Sequence, residues 1–433
     1  MGCSSAFVRE ERQGFQARTT LLRDREGHLI AEHEKVLSRW AEHFEELLDQ
    51  ASESGWREKE RESIGNTDDN TAESNTPSLW EVNEAIKSLQ NHKAPGEDTI
   101  NAELLKYGGE HVVRAVQVLI GKVWKEEQMP EDWKIALICP IHKKGTKLEC
   151  SNYRGISLLS VVYKVITKII ARRLEPYAEK VLGEYQCGFR RNRSTTDQIF
   201  TLRILLEKCY EFNIPVHQLF VDFRQAYDSI ERHYLYETLR DFKVPKKLRN
   251  LIEMTLADTK SKVTIGGKKS RTIEIKRGLR QGDALSCILF NMTLERAIRK
   301  VDINPGGTLL NRTIQILGYA DDIGILSRTE KDLKETYQKI EYESRCAGLK
   351  VNEEKTKYMI MRRNNQITPS QHIMTENSKF ECVQEFKYLG AIVTANNENT
   401  EIKERLKAGN RAYYSLQKLL KSRLLSRYTK KNI

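Results

Sequence analysis

At 433 residues, 39% of them hydrophobic and 30% charged, the chain has enough apolar material for a sizeable core shared among two to four subdomains. No run of about 18 apolar residues is present to span a bilayer as a helix, the opening MGCSSAFVRE lacks the apolar segment of a secretory signal, and Ala6 stands where a myristoylation motif requires Ser or Thr. Eight cysteines without a C-x-x-C pair argue against a disulfide framework and a structural zinc site, and suit a reducing intracellular compartment, nuclear or cytoplasmic. The net charge of +12 is unevenly spread: residues 1–100 hold 12 Lys/Arg against 21 Asp/Glu, leaving 60 against 39 for the rest. That basic remainder has the electrostatic character of a polyanion binder.

In chain order, 34–49 places Leu37, Trp40, Phe44 and Leu47 on one helical face, and 51–76 is a polar linker expected to be disordered. A second helix starts after Pro77, where Ser78 and Glu81 have capping-box spacing and Val82, Ile86 and Leu89 form the stripe; KAPGED at 93–98 marks its end. A third, 160–175, alternates Val162, Ile166 and Ile169 with Lys164, Lys168 and Arg172. VHQLFVDF at 216–223 reads as a buried strand. In RGLRQGDALSCILF, Gly278 and Gly282 permit close backbone approach, and Asp283 is placed to cap a helix with Leu285, Ile288, Leu289 and Met292 inward. Leu406, Tyr413, Leu416 and Leu420 near the end form an apolar face that needs a partner surface. No internal repeat is evident.

The segment GYADDIGIL at 318–326 seats two acids between apolar runs. Neighbouring strand residues point to opposite faces, so Asp321 and Asp322 can share a site only if the chain turns there, and Ile314, Ile316, Tyr319, Ile323, Ile325 and Leu326 supply two flanking strands. Two partly buried carboxylates repel unless a cation neutralises them, and Mg²⁺, with its preference for oxygen ligands, is the economical choice. A lone Asp-Asp pair is most often a solvated turn. Asp222, isolated within the apolar LFVDF run, is the best candidate for a third ligand, and such a set suits two-metal phosphoryl transfer.

FVDFRQAYDSI, RGLRQGDALSCILFN and GYADDIGIL, in this order, resemble three core motifs of reverse transcriptases, most closely those of non-long-terminal-repeat (LINE-like) retrotransposons. KAPGEDTINAELLK, PIHKKGTKLECSNYRGISLLS, GFRRNRSTTDQ, GLKVNEEKTKYM and FKYLGAIV extend the resemblance over roughly residues 77–395. It implies an α+β right-hand polymerase fold of fingers, palm and partial helical thumb, with a helical N-terminal extension. The expected boundaries are 1–50 for that extension, 51–76 for the linker, 77–121 for the first part of the fingers, 122–394 for the reverse transcriptase domain and 395–433 for incomplete thumb helices. The chain then resembles a truncated copy without the endonuclease.

The resemblance also implies roles. Asp222, Asp321 and Asp322 become the catalytic metal ligands for two Mg²⁺ ions, with Mn²⁺ as a substitute, and the Phe223 carbonyl a further ligand. Tyr227 becomes the gate against a 2′-hydroxyl, although it would equally suit core packing; Asp228 is left to capping or hydrogen bonding within its motif rather than to metal. Gln281 and Gly282 face the template base and incoming nucleotide; one of Lys143 and Lys144, with Arg154, grips the triphosphate. Gly155 stands where many relatives have Pro, loosening a turn. Lys355 resembles a lysine that protonates the leaving pyrophosphate, with a solvated helix-end lysine as the alternative. Arg190, Arg193 and Ser194 are expected at the template, and Leu389 and Gly390 at the primer. The partners so implied are an RNA template, a DNA primer and dNTPs, with no membrane. A non-catalytic nucleic-acid-binding remnant and an RNA-dependent RNA polymerase are the competing readings, and Tyr227 argues against the second.

Overall fold

The computed structural model describes residues 21–49, 75–301, 314–363, 372–396 and 400–431. The expected linker falls almost wholly outside them. The chain divides into two units, one formed by Met1–Leu182, Gln225–Ala297 and Ser344–Leu349, the other by Gly183–Arg224, Ile298–Glu343 and Lys350–Ile433. Asp222, Asp321, Asp322 and Lys355 thus belong to the second unit, and Lys143, Arg154, Tyr227 and Gln281 to the first.

In the first unit, strands Ile135–His142 and Tyr153–Leu158 pair antiparallel, and the former runs parallel to Lys260–Ile265, which also pairs with Lys268–Lys269 and Ile273–Glu274. Helix His33–Asp49 lies on this sheet through Trp40, Phe44, Ile138, Tyr153 and Val263; the Trp40 and Tyr153 rings meet edge-on at 4.9 Å. Leu48, not Leu47, completes its buried stripe, because the step from Phe44 that stays on the face is four residues. Gly155 is not in a turn. It sits mid-strand opposite Pro140, where an added Cβ would come within 2.7 Å of the Phe44 ring. Its missing side chain is the space into which the helix packs.

Helix Leu79–Lys87 begins with the expected reciprocal cap, Ser78 accepting from Glu81 N and Glu81 from Ser78 N. It stops before Leu89, and Ala85 joins Val82 and Ile86 in its buried face. Glu81 is also gripped at both oxygens by Arg173, 3.0 Å each. Arg173 lies on a helix that runs Val161–Val181, longer than its apolar alternation suggested and continuing through Pro176. The burial of Ala171, Leu174 and Ala178 holds this extra turn and a half in place against the lost backbone donor.

In the second unit, six strands stand in the order Ile314–Tyr319, Asp322–Ser327, Val216–Val221, Lys357–Met361, Lys379–Cys382, His372–Met374, antiparallel except where Lys357–Met361 meets Lys379–Cys382. Every residue of Val216–Val221 is buried, the polar His217 and Gln218 included, as suits a central strand covered on both faces. One face, with Phe220, Leu317, Leu326 and Met359, packs on Leu202, Leu205 and Leu206 of helix Thr195–Glu211 and on the hairpin carrying Tyr388 and Val393. Elsewhere in the unit, Tyr337 of helix Glu330–Cys346 meets Phe380 edge-on at 5.0 Å. Of the apolar positions expected to need a partner surface, helix Thr400–Lys421 leaves Leu406 and Tyr413 mostly exposed and Leu416 and Leu420 half-buried. Among the described residues, no helix is long and apolar enough to cross a membrane.

Candidate active site

Strands Ile314–Tyr319 and Asp322–Ser327 form a hairpin whose two-residue turn is Ala320–Asp321, with Tyr319 opposite Asp322 and Ala320 at φ +55°. The second of these strands pairs with Val216–Val221 in a register that sets Ile323 opposite Val221. Asp322 precedes the one and Asp222 follows the other, so the same register sets these two carboxylates across from each other. Like charges so placed repel. The Asp322 carboxyl is accordingly pushed up to about 6, by burial first and then by Asp321 and Asp222. The three carboxylates do not close to within 4.8 Å as a group: among the described residues, the ligand atoms that do are those of Asp24, Glu26 and His28, largely on the surface.

Asp222 is fixed through its backbone. Its N–H donates to Thr356 Oγ1 at 3.2 Å and its carbonyl accepts from Asn352 N at 2.8 Å. The fully buried Thr356 was not picked out from the sequence; a lone hydroxyl just before the apolar strand Lys357–Met361 was the available signal. Lys355 is in the turn before that strand rather than at a helix end, and its ammonium lies 3.2 Å from Asp222 Oδ1. Phe223 is buried in the short strand Phe223–Arg224, paired with Lys350–Val351.

Leu389 and Gly390 are the two residues of the turn between Glu385–Tyr388 and Ala391–Thr394, at φ +48° and +89°, the signature of a type I′ hairpin. Ser194 caps helix Thr195–Glu211 in a reciprocal box with Asp197. Arg190 donates to the carbonyls of Gly183 at 2.8 Å and Gln186 at 3.0 Å, and Arg193 pairs with Glu184. All three thus have bonds within their own unit.

In the first unit, Asp228 is half-buried, and desolvation pushes its carboxyl up to about 7, against the pull of Lys143 and Arg154. Gln281 Nε2 donates to Asp228 Oδ2 at 2.9 Å, and Leu279 N donates to the Tyr227 carbonyl at 2.7 Å. Gly278, at φ +74°, runs so close that an added Cβ would sit 2.4 Å from the Asp228 carbonyl. Gly282, also at positive φ, is exposed. Asp283 caps its helix by accepting from Leu285 N at 3.2 Å and also from the Tyr163 hydroxyl at 3.0 Å. In that helix Ile288 is only half-buried, while Phe290 is fully buried and its ring stacks on Tyr227 at 4.7 Å. Lys143 extends the strand pair, donating its N–H to Asn152 O at 2.9 Å, and Arg154 pairs in register with Ile141; Lys144 is exposed.

Residues 141–393 match the family model described as "Reverse transcriptase (RNA-dependent DNA polymerase)". The chain is 23% identical over 277 residues to the "Transposon TX1 uncharacterized 149 kDa protein" of Xenopus laevis, covering 63% of this chain and 21% of that protein. It is 28% identical over 231 residues to the "Retrovirus-related Pol polyprotein from type-1 retrotransposable element R2" of Popillia japonica, covering 53% and 32%. It is 26% identical over 349 residues to the "Probable RNA-directed DNA polymerase from transposon X-element" of Drosophila melanogaster, covering 78% and 37%. The chain therefore spans only about a fifth to two fifths of the length of these relatives. Among solved structures, an apo telomerase from Candida tropicalis superposes with a TM-score of 0.44 at 15% identity, covering 62% of this chain and 48% of that one. With the family model matching more than half of its residues, the chain belongs to the reverse transcriptase family.

Proposed function

We propose that the chain is the RNA-directed DNA polymerase of a non-long-terminal-repeat retrotransposon, adding dNTPs to a primer 3′-hydroxyl on an RNA template. The observation that carries this reading is the register that sets Asp322 of the hairpin opposite Asp222 of the central strand, with Asp321 in the adjoining turn. The donor set fits divalent metal: it is all oxygen, the Asp322 carboxyl is pushed up by burial and by its two acidic neighbours, and Lys355 lies beside Asp222. Asp222, Asp321, Asp322 and the Phe223 carbonyl would hold two Mg²⁺ ions, or Mn²⁺ in their place, which when bound would supply Lewis-acid activation of the attacking hydroxyl and stabilisation of the leaving oxygen.

The chain's own residues do the rest. Lys355 is poised to hold a proton for the departing pyrophosphate, and Lys143 or Lys144, with Arg154, to bind the triphosphate, the arginine through two parallel hydrogen bonds. The Tyr227 ring, braced by Phe290, excludes a 2′-hydroxyl. Gln281 and Gly282 meet the nascent base pair; Leu389 and Gly390 hold the primer, and Arg190, Arg193 and Ser194 the template strand. The same reading assigns 1–50 as an N-terminal extension joined by 51–76 to fingers beginning at 77–121, 122–394 as the polymerase domain and 395–433 as thumb helices.

Primer extension on an RNA template tests it. Asp321→Ala and Asp322→Ala are expected to abolish extension while leaving template binding intact. Product equal to that of the parent would remove these residues from the mechanism, and salt-sensitive binding without product from the parent would favour the remnant.

A further inference from the structure

The hairpin that carries Asp321 and Asp322 has a problem of its own making. A two-residue turn leaves the N–H and C=O of its central peptides outside the strand ladder, and Ala320 is buried, at 2% exposure. Buried backbone groups without partners are costly. A primary amide offers an acceptor and a donor side by side on one small planar group, and glutamine adds the reach.

Gln186 meets this requirement. It is 2% exposed, its Oε1 accepts from Ala320 N at 2.8 Å and from Gly188 N at 2.9 Å, and its Nε2 donates to Ala320 O at 3.4 Å. The backbone around it forms an additional edge to the hairpin: Gly318 N donates to Tyr185 O at 2.9 Å and Cys187 N to Gly318 O at 2.8 Å. Gly188 passes so near that an added Cβ would lie 2.2 Å from Ala320 N. A second buried amide, Gln198, donates to Gly318 O and Tyr185 O, 3.2 Å each. Arg190 in turn holds the carbonyls of Gly183 and Gln186.

We propose that Gln186 is a positioning residue for the reaction. It fixes the Ala320 peptide and so the direction in which Asp321 and Asp322 leave the turn, with Gln198 securing the strand end behind it. Arg190 braces the loop that presents Gln186. The inference rests on the metal-binding reading of the aspartates. A turn free to pivot about Ala320 would present the same carboxylates with poorer aim, and misplacement by an ångström is enough to slow chemistry severely.

The test is Mn²⁺ binding to the full chain, followed by electron paramagnetic resonance, beside steady-state primer extension. Gln186→Met removes all three bonds at nearly constant volume. Gln186→Glu keeps the acceptor and sets a carboxylate oxygen against the Ala320 carbonyl. Both are expected to weaken Mn²⁺ binding and lower kcat by roughly tenfold or more, with KM for dNTP changed less than about threefold. Ile340→Ala, a core truncation in the same unit chosen for comparable loss of Tm, should change neither metal affinity nor kcat beyond about twofold. Parent-like Mn²⁺ affinity in either folded Gln186 variant, or an equal loss in Ile340→Ala, overturns the proposal. Should Gln186→Met not fold, Gln186→Glu decides. If Asp321→Asn combined with Asp322→Asn leaves Mn²⁺ binding unchanged, the metal reading itself fails, independently of Gln186.

Discussion

Lys355 and Asp228 show how differently two charged residues can be legible. The ammonium 3.2 Å from Asp222 Oδ1 is invisible in GLKVNEEKT, because the contact joins turns more than a hundred residues apart. If Lys355 delivers the proton to pyrophosphate, Lys355→Ala slows single-turnover extension by about 10²-fold. A rate like the parent's would leave the lysine a surface counter-charge. The sequence suggests that Asp228 caps or hydrogen-bonds within its own motif, whereas the fold brings its carboxylate a bond from Gln281 of another motif and the burial that pushes it up to about 7. The sign follows. The unfolded chain ionises near 3.8 and the folded one near 7, so between these values the folded state binds more protons and loses stability as pH rises. Asp228→Asn keeps an acceptor for Gln281 and removes that loss. Its gain over the parent in urea titrations should grow from pH 4 to pH 7 and level off above it, reaching on the order of 1–4 kcal/mol. A difference that stays constant with pH would contradict the burial argument.

At the scale of elements, local signals and packing divided the work. The Ser78–Glu81 box and the hairpin around Asp321 were readable because capping and turn formation depend on residues a few positions apart. The length of helix Val161–Val181 was not, since its last turns are held by burial that outweighs Pro176. Gly155 was misread for the same reason: its role is set by Phe44, far away in sequence. Gly155→Ala should force the helix His33–Asp49 off the sheet by a few tenths of an ångström and destabilise the protein by about 1–3 kcal/mol. Adding Phe44→Leu, which clears the ring, should recover part of that loss in the same unfolding titration. Additive losses in the double variant would show that the two residues do not meet.

For the whole molecule, stability against pH combines opposing contributions. His43 in one unit is half-buried and His217 in the other buried, and both are pulled down to about 4, by desolvation first and then by Arg39 and Arg362 respectively. Each takes up its proton in the unfolded chain near 6.5, so its contribution is present above that value and is lost as pH falls toward 4. Asp228 runs the other way over an overlapping range, which makes the parent's profile a poor witness and variant differences the useful measurement. His43→Phe, which keeps a ring beside Trp40 and Phe44, should gain on the parent by on the order of 1–3 kcal/mol between pH 6.5 and 4. No gain on acidification would mean that the imidazole is not held neutral. By itself the sequence determined the family, the ordered motifs, the three aspartates and the hairpin that carries two of them, because these rest on residue type and near spacing. The tertiary structure alone decided which strand stands opposite that hairpin, that Lys355 reaches Asp222, that Gly155 makes room for a helix and that buried Gln186 bonds to the turn while Gln198 bonds to the strand end beside it. Each of these depends on register and side-chain volume across long sequence separations, where composition and periodicity carry no information.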